Sequence, residues 1–185
     1  MRLSARRQNR GFTLVELMGV VAIVGILATL AVYGVRKYIL SAKASEAIQM
    51  IGSIKAAQES YKAETFAYLD VSGTHTLTTL YPMSTPSSKA YGWGDVTTDQ
   101  GKAFRTLGVQ ADAPVRFGYA CAAGDGSNAI PSHGSSQTIA NWPTASGGVP
   151  WYVVRAVGDL DGDSTQSIYA SASFTGQIII DKEGE

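Results

Sequence analysis

The sequence predicts an α+β protein in which one long N-terminal α-helix packs on a small antiparallel β-sheet. Three observations predict it. Residues 17–35 carry no charge, helical spacing of apolar residues continues from there to Tyr61, and the C-terminal part alternates short β-type segments with Gly, Ser and Asn turns. At 185 residues, a long apolar segment and one modest domain of roughly 100–150 residues use the whole chain.

The first element is the apolar run. As a helix at 1.5 Å per residue, residues 17–35 span about 28 Å, close to the ~30 Å hydrocarbon core of a bilayer. Arg2, Arg6, Arg7 and Arg10 precede it with no acid beside them, which keeps the N-terminus cytoplasmic and exports the chain beyond Tyr38; Arg36 and Lys37 weaken that asymmetry. A plain signal-anchor helix is one reading. A cleavable secretory signal is another, since Ala42-Lys43-Ala44 offers an A-x-A site, but the run is longer than the usual 7–15 residues and the helical pattern outlasts it.

Neither reading accounts for Glu16, an acid at the mouth of the apolar run. A carboxylate there is costly and calls for a partner. Acids also suit the positive end of a helix dipole, so a helix-start role stands beside a functional one.

The string Gly11-Phe12-Thr13-Leu14-Val15-Glu16-Leu17 after a short basic leader resembles the class III signal of type IV prepilins. The resemblance is strongest over residues 11–61. It implies that a prepilin peptidase cuts after Gly11 and methylates the new terminal amine on Phe12, and that Glu16 neutralises the terminal amine of a neighbouring subunit during assembly. A buried carboxylate paired with a buried ammonium is tolerable where either alone is not. One departure is the absence of a proline between Phe12 and Tyr81, where many pilins carry one; Gly19, Gly25 and Gly34 instead weaken the helix by ~1 kcal/mol each relative to alanine.

Beyond Tyr38, apolar residues at Ala44, Ala47, Ile48, Ile51, Ile54 and Tyr61 fall on one face. The expectation is one helix over 13–62, apolar all round in its first half and striped in its second. Small residues at Gly19, Ala22, Gly25, Ala28 and Ala31 let such helices approach closely. In a pilin the first halves bundle into the filament core, which divides the chain into a leader (1–11), a transmembrane and filament-core helix (12–39), an amphipathic half (40–64), an αβ-loop (65–112) and an antiparallel sheet with a variable loop (113–185).

The αβ-loop region, rich in Gly, Ser, Thr, Pro and aromatics, reads as irregular with one short helix over 101–107 and with Tyr91 and Trp93 as buried anchors. Three β segments come next at 115–122, 151–157 and 167–180, the last broken at Thr175-Gly176 into a hairpin, with alternation at Ile168, Ala170, Ala172 and Phe174. Residues 124–148 form a long Gly/Ser/Asn loop, placed where pilins carry surface specificity.

Asp159, Asp161 and Asp163 surround Gly162. Alternating carboxylates can converge on Ca²⁺, although the glycine position and distant glutamate of an EF-hand are missing; an Asp-Gly turn between two strands is the alternative. Short Asp-rich calcium loops occur in some pilins and in secretion pseudopilins. Catalysis finds no convergent acid, base or nucleophile: His75 and His133 read as surface histidines, Cys121 as a small buried hydrophobe. Without the leader's four arginines the 15 basic residues fall to 11 against 15 acidic, a poor match for nucleic acid, so no direct nucleic-acid partner is expected. The resemblance implies a non-enzymatic pilus subunit serving adhesion, motility or DNA uptake, with partners in its own copies, other pilins, the peptidase and the assembly platform. It would pass from the bacterial inner membrane to an extracellular filament. A type II secretion pseudopilin in a periplasmic filament, or a membrane-tethered exported binding module, are the alternatives.

Overall fold

The computed structural model describes residues 11–134, 142–144 and 147–183. The basic leader with Arg2, Arg6, Arg7 and Arg10, and the middle of the 124–148 loop, lie outside them. The chain divides into two units, residues 1–38 and 39–185. Helix α1, Leu14–Thr65, contributes to both.

In the first unit, large apolar side chains point to every side of the helix and all are exposed, from 56% at Val24 to 88% at Phe12. The hydroxyl of Thr29 donates to the carbonyl of Ile26 at 2.7 Å, so this polar group within the apolar run is satisfied inside the helix. By length and composition the helix can cross a membrane.

In the second unit the helix is striped. Ala44, Ala47, Met50, Ile51, Ile54 and Gln58 are buried, whereas Ile48, expected in the stripe, is 38% exposed. The seam follows spacings of three and four, and Ile48 falls one position off it, with Met50 completing the buried face instead. Beyond the helix the chain builds a four-stranded antiparallel meander: β1 (Gly118–Gly124), β2 (Trp151–Gly158), β3 (Ser167–Ala172) and β4 (Ile179–Asp181), in the order β1-β2-β3-β4. The predicted break at Thr175-Gly176 is the β3–β4 turn. The first segment, expected over 115–122, begins later as β1 because Val115 pairs instead with Tyr91 in an isolated bridge.

Register puts Cys121 opposite Val154 and Ala156 opposite Tyr169, and these residues pack with Ile51, Ile54, Phe117 and Tyr119 in one core. The opposite face carries the row Ala122, Val153 and Ala172, buried with Leu77, Ile130 and Trp151 in a second cluster. Small residues in that row let the loops lie close. Both faces of the sheet are therefore covered, and the alternation at Ala170 and Ala172 marks the loop-covered face, with Phe174 at its edge, 41% exposed.

The short helix α2 runs Asp99–Thr106, two residues earlier at its start than expected, because the Thr98 hydroxyl accepts the Gly101 N–H and caps it. Trp93 is an anchor, ringed by Tyr81, Phe104 and Tyr119 at 5.0–5.7 Å. Tyr91 is not: it stays 37% exposed, held by its backbone bridge to Val115.

Candidate processing and assembly site

The start of α1 is a reciprocal cap. The Thr13 N–H and hydroxyl both donate to Glu16 Oε2, at 2.9 and 2.8 Å, and the Glu16 N–H donates back to the Thr13 hydroxyl at 3.2 Å. This is the capping-box arrangement, in which a Thr and an acid three residues on satisfy each other's orphan donors. The spacing Thr-x-x-Glu was visible in the sequence. Phe12 precedes the cap with its ring in the open, and Gly11 has nothing within 4 Å of where a Cβ would stand. In a single chain, then, Glu16 is held by its own helix, next to the junction Gly11-Phe12, and its carboxylate has lone pairs left for a cation.

The three aspartates do converge. One ligand atom from each of Asp159, Asp161 and Asp163 lies within 4.8 Å of the others, in the loop between β2 and β3. That spread suits a single Ca²⁺, whose ligands at about 2.3–2.6 Å stand up to about 5 Å apart across the ion. The same carboxylates also fold the loop by themselves. Asp159 accepts from Gly162 N–H at 2.7 Å and Ser164 N–H at 3.2 Å, Asp161 from Asp163 N–H at 3.2 Å, and Asp163 from Thr165 N–H at 2.6 Å. The Thr165 N–H holds the Asp163 carboxyl below its ordinary range. Gly162 (φ 85°) and Ser164 (φ 73°) take the left-handed conformations the turn requires. Three carboxylates cover part of a calcium shell and leave the other places to carbonyls or water.

Four polar residues of α1 do positioning work that a hydrophobic count passes over. Gln58, fully buried, accepts from Leu69 N–H at 3.0 Å and donates to its carbonyl at 2.7 Å, pairing with the chain as a strand would. It lies four residues after Ile54, so spacing marked it although residue type hid it. Lys43 donates to the Leu160 carbonyl at 2.8 Å, inside the aspartate loop. Lys55 donates to the Ser171 hydroxyl at 2.8 Å and the Thr175 carbonyl at 3.0 Å, steadying the β3–β4 turn; burial lowers its pKa. Glu46 accepts the Arg116 N–H at 2.8 Å and the Tyr119 hydroxyl at 3.2 Å.

Three further titratable groups sit apart from both sites. Cys121 is buried and its thiol pushed up to about 12 by burial, so it is inert at neutral pH. His75 lies half-exposed beside Asp70. His133 is not on the surface, contrary to its polar sequence context: it is buried with its ring 4.8 Å from that of Trp142, and burial lowers its pKa.

Residues 6–32 match the family described as a prokaryotic N-terminal methylation motif. The chain is 46% identical over 63 residues to a type IV major pilin protein of Myxococcus xanthus, a stretch covering 34% of this chain and 29% of that one. It is 49% identical over 63 residues to the type II secretion system core protein G of Pseudomonas aeruginosa, 34% of this chain and 44% of that one. A fimbrial protein of Eikenella corrodens matches at 39% over 59 residues, 32% and 39% of the two chains. The matched stretches thus span less than half the length of each of these relatives. No solved structure matches.

Proposed function

We propose that this chain is a structural, non-enzymatic subunit of a type IV pilus, held in the inner membrane as a precursor, cleaved after Gly11, methylated on Phe12 and assembled through α1. The observation that carries the reading is the first unit itself: a helix with its apolar side chains exposed on every side is unstable in water and needs lipid before assembly and copies of itself after it. The methylation motif and the likeness to pilins support this assignment for the N-terminal third. In the filament, Glu16 would exchange part of its capping role for the terminal amine of a neighbour.

A pseudopilin of a type II secretion system is the second reading. The likeness to a secretion core protein and the convergent aspartates favour it, and Ca²⁺ held by Asp159, Asp161 and Asp163 would stabilise the β2–β3 loop by cancelling their mutual repulsion.

Intact mass of subunits from sheared filaments tests the proposal. The expected species begins at N-methylated Phe12; a chain beginning at Met1, or after Ala44, contradicts it.

A further inference from the structure

The arginines before α1 set its orientation across a membrane, yet two more cations, Arg36 and Lys37, stand on the exported side and work against that bias. Both are exposed, and residues 17–45 contain no Asp or Glu to answer them. The ion pairs among the described residues lie elsewhere, at Asp70 with His75 and at Asp99 with Lys102. The next cation along the helix, Lys43, differs, because the Leu160 carbonyl already takes its amine at 2.8 Å.

Their place in the helix is specific. Glu16 and Arg36 are 20 residues apart, about 30 Å along an α-helix, which is the thickness of a bilayer's hydrocarbon core. With Glu16 at one edge of the core, Arg36 falls at the other. Tyr33 is three residues before Arg36 and four before Lys37, so the three share a face, and helical side chains lean toward the N-terminus, which tips both cations back toward the lipid. Tyr33 is 73% exposed and Tyr38, on another side of the helix, 77%. All four belong to the first unit. From Tyr33 to Tyr38 the helix rises about 8 Å, against a headgroup layer of about 5–8 Å on each side of the core.

We propose that Tyr33, Arg36, Lys37 and Tyr38 form a belt that binds the phosphates of anionic phospholipid headgroups in the exported leaflet and so fixes the depth of α1. The proposal rests on the membrane-held precursor described above. A guanidinium meets a phosphate through parallel N–H bonds, a lysine adds a point charge, and a tyrosine puts an apolar ring and a polar hydroxyl at the same boundary. The charge excess selects the ligand: two cations with no acid between Glu16 and Glu46 match an anionic lipid, whereas the same stretch of a neighbouring copy brings the same two cations and repels.

The test reconstitutes full-length wild type and the double variant Arg36→Gln, Lys37→Gln in phosphatidylcholine vesicles carrying a trace of spin-labelled phosphatidylglycerol or spin-labelled phosphatidylcholine. The share of each label immobilised by the protein gives its preference for the anionic lipid. The leader's arginines are the same in both chains, so the difference belongs to the belt. The preference should fall at least about fivefold in the double variant, since each cation at an anionic surface contributes roughly that factor, and Arg36→Lys should stay within about twofold of wild type. Equal preference in wild type and double variant overturns the belt and leaves the membrane reading standing. So does a double variant that keeps the preference but loses association between copies in phosphatidylcholine alone, which puts a second copy on this face. Wild type that alkaline carbonate strips from the vesicles overturns the membrane reading itself, and the belt with it.

Discussion

Leu27 and Ile51 stand in the same helix, are near-identical in size and hydrophobicity, and meet opposite fates: 59% exposed against fully buried. The difference is context. From Ala44 on, α1 has a sheet to cover, and its polar residues Glu46, Lys55 and Gln58 hold strand ends and loops by hydrogen bonds. Before Tyr38 neither sheet nor loop covers it among the described residues. The same helical backbone is thus an internal wall in one unit and an exposed apolar surface in the other, so on the proposed function a substitution should read out as stability in one and as assembly in the other.

The largest contrast expected in folding comes from matched truncations. Phe117→Ala removes a fully buried ring packed edge-on against Tyr169 at 5.5 Å and should cost the second unit about 3–5 kcal/mol. Leu27→Ala should change that unit's stability by less than about 0.5 kcal/mol, since its side chain contributes nothing to that core. Denaturant unfolding of both variants in detergent, followed by tryptophan fluorescence, checks this; equal losses would erase the distinction between the units.

A smaller effect is expected at the aspartate loop. If Ca²⁺ binds there, the second unit gains roughly 2.7 kcal/mol at a hundredfold excess over Kd, a rise of several degrees in thermal midpoint that grows with calcium concentration. The Asp163 carboxyl is lowered by its bond from Thr165 N–H, so its contribution is present above the ordinary carboxylate range and lost as pH falls through its folded value. The comparison of calcium against chelator therefore belongs near pH 7. Identical midpoints in the two conditions, with Asp159→Asn equally silent toward calcium, would leave the loop as a turn held by its own backbone.

The two units also differ in how much of them the sequence discloses. Residues 14–38 obey one requirement, apolarity, which composition displays directly, and the capping pair Thr13 and Glu16 is a spacing pattern. The sheet was legible through β-rich segments and turn residues, including the break at Thr175-Gly176. Its edges were not: β1 lost Val115 to a bridge with Tyr91, a partner 24 positions away that no local pattern announces. Likewise the burial of His133 depends on Trp142, and the covering of the second sheet face depends on Leu77 and Ile130. Long-range pairings of this kind decide burial, and local propensity is silent about them. The aspartates' convergence was legible because alternate residues in one tight turn have few other places to go. Gln58 was marked by position and disguised by polarity, as its two backbone bonds to Leu69 could not be seen in one dimension.

The central claim is that Glu16 acts between copies and not only within its own helix. Glu16→Gln separates the two roles, because a glutamine at this position retains the reciprocal cap with Thr13 while losing the charge that a neighbour's amine needs. Breaking a buried pair costs about 3–5 kcal/mol, against about 1 kcal/mol for a helix cap. The measurement is the ratio of subunit in sheared filaments to processed subunit in the membrane, for wild type and Glu16→Gln. The account predicts wild-type amounts in the membrane and at least about a tenfold loss from the filaments; a wild-type ratio would mean that the carboxylate only caps its helix, and would contradict the claim.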